Sequence, residues 1–398
     1  MKTILALLLA LPPTLQAATV TDWALPAPPG SAQPNLSAAA DGDLLLSWIE
    51  RREGSGHRLM FARHDATEGW LGVRKIAEGK DWFVNWADFP ALQALADGSL
   101  WAHALVKNGE ATYAYDVRLH ASFDGGRTWA PKGVVHDDGT PTEHGFATLW
   151  AQPGGRLGIA WLDGRHTGGG HGHGQGGGAM TLRTAAYDAT GKRGDQELDD
   201  STCDCCQTDS VVVGDTVLLA YRDRAAGEIR DVAVARFADG AWQAPVKVHD
   251  DQWMMPACPV NGPAIAAHGA QAWVAWYTAA GGPPSVRIAR SGDDGRSFGG
   301  MRELARGEAP QGRVDVAADD GGVWVSWVEE AAGTQSLWLA RFDHGLSGEA
   351  FRTKVADIRG RGRATGFPRL QARDGAAWLA WTEVVDGRPR LRGATVRP

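Results

Sequence analysis

Seven times along the chain an alternating apolar run ends within one short segment: Leu44–Trp48, Leu100–Ala104, Leu157–Trp161, Val217–Tyr221, Ala272–Trp276, Val323–Trp327 and Ala377–Trp381. Their end points lie 56, 57, 60, 55, 51 and 54 residues apart. Alternation with a period of two marks a half-buried strand, and a repeat of this length made of short strands buries its apolar faces only against neighbouring copies of itself. The chain is therefore expected to be all-β: a seven-bladed β-propeller of four-stranded antiparallel blades. A closed ring absorbs a length that would ordinarily suggest two or three domains, so residues 18–398 are read as one domain.

The fourth repeat shows how a blade is parsed. Thr208–Val213 reads as the inner strand, followed by Thr216–Tyr221, Ile229–Phe237 and, after an Asp239-Gly240 turn, the outer strand Trp242–Val248. The seventh repeat has an inner strand near Phe367–Ala372, then Ala377–Trp381 and Arg390–Val396, and lacks a fourth. Thr19–Pro29 resembles the outer strands of other repeats and is expected to complete the last blade, which removes two exposed sheet edges.

Residues 1–17 read as a secretory signal peptide, with Lys2, the apolar stretch Ile4–Leu11 and a small-residue cleavage site ending at Ala17. No later segment approaches the roughly 20 uninterrupted apolar residues of a membrane span. The expectation is a periplasmic or secreted protein without a stable membrane anchor. With 40 Lys+Arg against 47 Asp+Glu the net charge is −7, which argues against nucleic acid as a partner.

Two of the turns read Ser122-Phe-Asp124-Gly-Gly126-Arg-Thr128-Trp129 and Ser291-Gly-Asp293-Asp-Gly295-Arg-Ser297-Phe298. These segments, 122–129 and 291–298, match the Asp box, and here the chain resembles the Asp-box (BNR-repeat) sialidase-like propellers of exported bacterial-type proteins. Physically the box is structural: the Asp caps backbone N–H groups, Gly permits positive φ, and the aromatic pins the turn to the blade. Trp48, Trp161, Trp276, Trp327 and Trp381 recur at equivalent positions and are read as packing wedges between blades rather than as sugar-stacking platforms.

In antiparallel blades the second-to-third and blade-to-blade loops share one face, opposite the Asp boxes. That funnel face holds Cys203-Asp-Cys205-Cys206, the segment Trp253-Met254-Met255-Pro-Ala-Cys258, and the Gly-rich run from His166 to Met180 with His171 and His173. An even cysteine count in an exported chain points to disulfides, with three pairings open. Thiolate, thioether and imidazole together point instead to a soft metal, copper above all. The metal set is then Cys203, Cys205, Cys206, Cys258, Met254, Met255, His171 and His173; without copper no cofactor is expected.

The resemblance to sialidases implies a second reading, in which the ligand is a small acidic molecule or carbohydrate. A sialidase of this fold holds a carboxylate with three arginines and uses a tyrosine activated by a carboxylate. In an enzyme of that kind the catalytic set here is Arg222, Arg230, Asp231, Glu228, Arg313 and Tyr221. The Arg-Ile-Pro segment expected near the start of a sialidase is missing. A third class of partner is a protein docked on the funnel face.

Overall fold

The computed structural model describes residues 18–52, 54, 56–168 and 178–398. The signal peptide expected at residues 1–17 lies outside the described residues, as do His171 and His173. Seven four-stranded antiparallel sheets form the blades of a propeller. In chain order their inner strands are Ser31–Ala38, Leu92–Ala94, His144–Gln152, Asp209–Val213, Ala264–His268, Pro310–Asp319 and Arg369–Arg373. The one helical turn among the described residues is the 3-10 segment Gly362–Thr365.

The last blade closes as expected, with Thr19–Asp22 pairing antiparallel to Arg388–Arg397 and Val20 opposite Val396. The closing strand is shorter than the span read from the sequence. Trp23 still donates its N–H to the Gly393 carbonyl at 2.9 Å, but Pro26, Pro28 and Pro29 have no N–H to continue the ladder. Trp23 then folds over the junction, stacked on Trp70 at 5.0 Å and edge-on to Trp378 at 4.9 Å. The ring is thus shut both by backbone pairing and by aromatic packing between the first and last blades.

The repeated tryptophans are wedges: Trp48, Trp161, Trp276, Trp327 and Trp381 are all buried in clusters that span adjacent blades or fill one. In four of them the indole N–H donates to a carboxylate two residues on, as in Trp161 to Asp163 at 2.8 Å and Trp327 to Glu329 at 2.9 Å. A buried indole needs such a partner, and the strand's two-residue period places it on the same face.

Both box turns have the hydrogen bonds their residues imply. Asp124 accepts from the Thr128 N–H at 2.9 Å and its hydroxyl at 2.7 Å, and Asp293 repeats the pattern on Ser297 at 3.0 and 2.6 Å. The shape the two turns share needs glycine at Gly126 and Gly295, where φ is positive and a Cβ would strike Phe61 and Leu218 at 2.2 and 2.3 Å. A third turn of this kind, unread in the sequence, has Asp343 accepting from Ser347 N–H and Oγ at 3.1 and 2.7 Å.

Candidate functional site

The funnel face between blades three and five is organised around sulfur. Residue Cys205 is disulfide-bonded to Cys258, and the Cys203, Cys205 and Cys258 sulfurs lie within 4.8 Å of one another. Residues Cys203 and Cys206 are free thiols, both buried, with their Sγ atoms 2.9 Å apart. Two facts of the backbone bring the loop inward: Thr202 bridges to Asp223, and the Cys203 N–H donates to the Arg222 carbonyl at 3.0 Å.

Burial alone would raise both thiols, but they do not move together. The Cys206 hydrogen bond and the nearby Arg222 and Arg230 guanidinium groups bring Cys203 down to about 7, whereas burial and the neighbouring Cys203 push Cys206 well up. One sulfur of the pair is therefore the more readily ionised, which is the condition for a thiol to act as ligand or nucleophile.

The arginines read from the sequence are distributed differently from a carboxylate clamp. Arg222 is fully buried and gives its donors to main-chain carbonyls: Asn261 at 2.8 and 3.0 Å, Tyr277 at 2.8 Å and Arg230 at 2.5 Å. Its guanidinium lies over the Trp253 ring at 4.9 Å. Arg313 likewise serves the Gly362 and Gly366 carbonyls and the Thr365 hydroxyl, at 2.8, 3.0 and 2.7 Å. Burial lowers it to about 10. These two side chains lock loops together.

Arg230 is different. It donates to Glu228 at 2.6 Å, and its buried Nε and Nη1 make no hydrogen bond. Glu228 is shared with Arg224, at 2.8 and 3.1 Å. Asp231 accepts from the Trp253 and Gln252 N–H groups, each at 3.1 Å, and so anchors the loop that leads to the methionines. On that loop Met254 is largely exposed, and the Met255 N–H donates to the Glu228 carbonyl at 2.9 Å. Tyr221 is buried and gives its hydroxyl to Asp199 at 2.5 Å, with its ionisation pushed up by burial and by that carboxylate.

A second cluster was not read from the sequence. The Tyr115 hydroxyl, fully buried, faces two carboxyl groups, Asp88 at 2.6 Å and Glu143 at 2.9 Å. Burial raises Asp88 to about 7 and Glu143 to about 8. Asp88 lines a central cavity of about 240 Å³ that also holds Gln207, Asp209, Asp315 and Arg369. Each of these residues is unremarkable in its own segment, and only ring closure brings them together.

No protein-family model matches the chain. No curated protein matches it either. Among solved structures, a polysaccharide lyase of the PL25 ulvan lyase family has a TM-score of 0.57 at 12% identity, covering 93% of this chain and 95% of that one. A mutant of the α-L-arabinofuranosidase Arb93a from Fusarium graminearum has a TM-score of 0.51 at 12% identity, over 92% and 93% of the chains. The NanB sialidase from Streptococcus pneumoniae has a TM-score of 0.50 at 8% identity, over 96% and 94%. At such identities the likeness is one of fold alone: the chain is a seven-bladed β-propeller.

Proposed function

We propose that this is an exported propeller of the Asp-box kind that binds a soft metal, copper, in the sulfur cluster of its funnel face. The observation that carries the reading is the convergence of all four cysteines from two loops 53 residues apart, with Cys203 and Cys206 as thiols 2.9 Å from each other. Thiolate sulfur suits Cu(I), and ligation releases the thiol protons. With Cys205 bonded to Cys258, the Cys203 and Cys206 thiols are the donors, and Met254 and Met255 on the facing loop are candidates to add thioether sulfur. His171 and His173, outside the described residues, belong to the same proposal as imidazole ligands.

Titration of the oxidised protein with Cu(I) against a chromogenic chelator tests this. One tight equivalent is expected, lost in Cys203→Ser and in Cys206→Ser. Copper affinity undiminished from the parent in both variants retires the reading.

A second reading is supported by the Tyr115 hydroxyl set between Asp88 and Glu143, and by the carbohydrate-active enzymes among the structures of similar fold. A carboxylic acid kept neutral near pH 7 is a proton donor of the kind glycosidic cleavage uses. Acidic polysaccharides and a fluorogenic sialoside are the substrates to assay. Activity unchanged in Glu143→Gln and Tyr115→Phe, or no turnover of any of them, removes this reading.

A further inference from the structure

From the placement of the four sulfurs we infer that the cysteines form an electron relay. The buried Cys203/Cys206 dithiol hands two electrons to the partly exposed Cys205–Cys258 disulfide, and through it to a low-molecular-weight disulfide in solution. The relay needs no metal, so it stands apart from the copper reading. Every cysteine of the chain takes part in it.

Cys203 and Cys206 have the C-x-x-C spacing of redox dithiols, and their side chains are sealed from water, at 0% and 1% exposure. Cys205 and Cys258 are both partly exposed. A sealed dithiol has no direct route to a soluble disulfide, because exchange requires one sulfur to reach another. Cys203 supplies the route: its Sγ lies 2.9 Å from that of Cys206 and within 4.8 Å of the Cys205 and Cys258 sulfurs. Backbone contacts hold both sides of this junction. The Cys203 N–H donates to the Arg222 carbonyl at 3.0 Å, and Met254, on the loop leading to Cys258, bridges to Ile229. The sulfurs therefore meet through rotation of side chains on fixed loops.

The steps balance in atoms and electrons. Cys203 Sγ attacks Cys258 Sγ as the thiolate; the Cys203–Cys258 bond forms, the Cys205–Cys258 bond breaks, and Cys205 leaves as a thiolate that takes up a proton. Cys258 is the target because a bond from Cys203 to Cys205 would close a ring over one intervening residue. Cys206 then attacks Cys203 in the same way and releases Cys258, which takes up the Cys206 proton. The disulfide has moved to Cys203–Cys206, and the outer pair is now the dithiol. A small disulfide accepts the two electrons there: the outer pair closes again and two small thiols leave.

The test uses the full mature chain with a metal chelator present, brought to two thiols per chain and desalted. With the chromogenic aromatic disulfide dithionitrobenzoate, the parent is expected to release two equivalents of aromatic thiolate and to retain no adduct. The double variant Cys205→Ser/Cys258→Ser keeps the inner dithiol and should release thiolate at least about tenfold more slowly. Loosening of the fold by the lost clasp would act in the opposite direction. Cys206→Ser stops the relay halfway, so acid quenching and peptide mapping should find Cys203 bonded to Cys258 and Cys205 as a free thiol. Each variant decides the matter if the other fails to fold. Release as fast as the parent's without the outer cysteines, an adduct retained on the parent, or only the Cys205–Cys258 bond in folded Cys206→Ser overturns the inference.

Discussion

Cys205 and Cys258 are joined by a disulfide across 53 positions, and the covalent loop they close contains all of blade four. A crosslink of that span removes conformational freedom from the unfolded chain, which loop-closure entropy puts at about 4 kcal/mol. Cys258→Ser is therefore expected to lower the stability of the oxidised protein by that order. In excess reductant the variant and the parent should unfold at similar denaturant concentrations. Equal stability of the two under oxidising conditions would show that the clasp is thermodynamically idle.

Closing the ring through Thr19–Asp22 leaves no open edge on the last blade. Removing residues 18–23 exposes the edge of Arg388–Arg397 and takes Trp23 out of its stack with Trp70. The truncated protein is expected to melt earlier and to aggregate at concentrations where the parent does not, as read by light scattering during a thermal ramp. An unchanged melting curve would mean that the aromatic packing and strand pairing at this seam contribute nothing.

Asp88 has its pKa raised by burial to about 7, so its sign is that of a buried acid. The neutral form stabilises the fold fully below the ordinary carboxyl range, near pH 4, and this contribution is lost as pH rises through about 7. The loss is on the order of 4 kcal/mol by pH 8. Asp88→Asn keeps an oxygen to accept from Tyr115 and cannot ionise. Chemical denaturation should then show parent and variant nearly matched at about pH 4 and the variant the more stable at about pH 8. A gap that does not change with pH would assign the titration to another group.

The box aspartates hold hairpins on the face opposite the sulfur cluster. Hydrogen bonds from four nearby donors hold the Asp124 carboxyl well below the usual range, and Asp293 is lowered by the same kind of contacts. Asp124→Ala and Asp293→Ala are expected to reduce the melting midpoint while copper binding stays unchanged. Loss of metal binding at unaltered stability would show that the two faces are coupled.

The blade architecture was legible in the sequence because it is encoded locally. Period-two alternation, Gly-Asp turns and the recurrence of Trp48, Trp161, Trp276, Trp327 and Trp381 are all properties of neighbouring residues, and the Asp124 and Asp293 turns satisfy their hydrogen bonds within five positions. Asp343 escaped notice because its turn keeps the Asp and Ser but lacks the aromatic that completes the motif. The gathering of cysteines on one face was also readable, since it follows from which loops share an end of an antiparallel blade.

What tertiary structure alone decided is how individual side chains are spent. Arg222 and Arg313 read in the sequence like ligand-binding arginines, but carbonyl groups from segments 39 and 49 to 53 residues away take up their donors. Of the three possible cysteine pairings, only the folded positions select Cys205 with Cys258. Asp88, Tyr115 and Glu143 carry no motif, because each residue type is common where it stands. Their meaning arises from burial and from distances of a few ångströms between separate strands and loops, which hydrophobic periodicity does not encode.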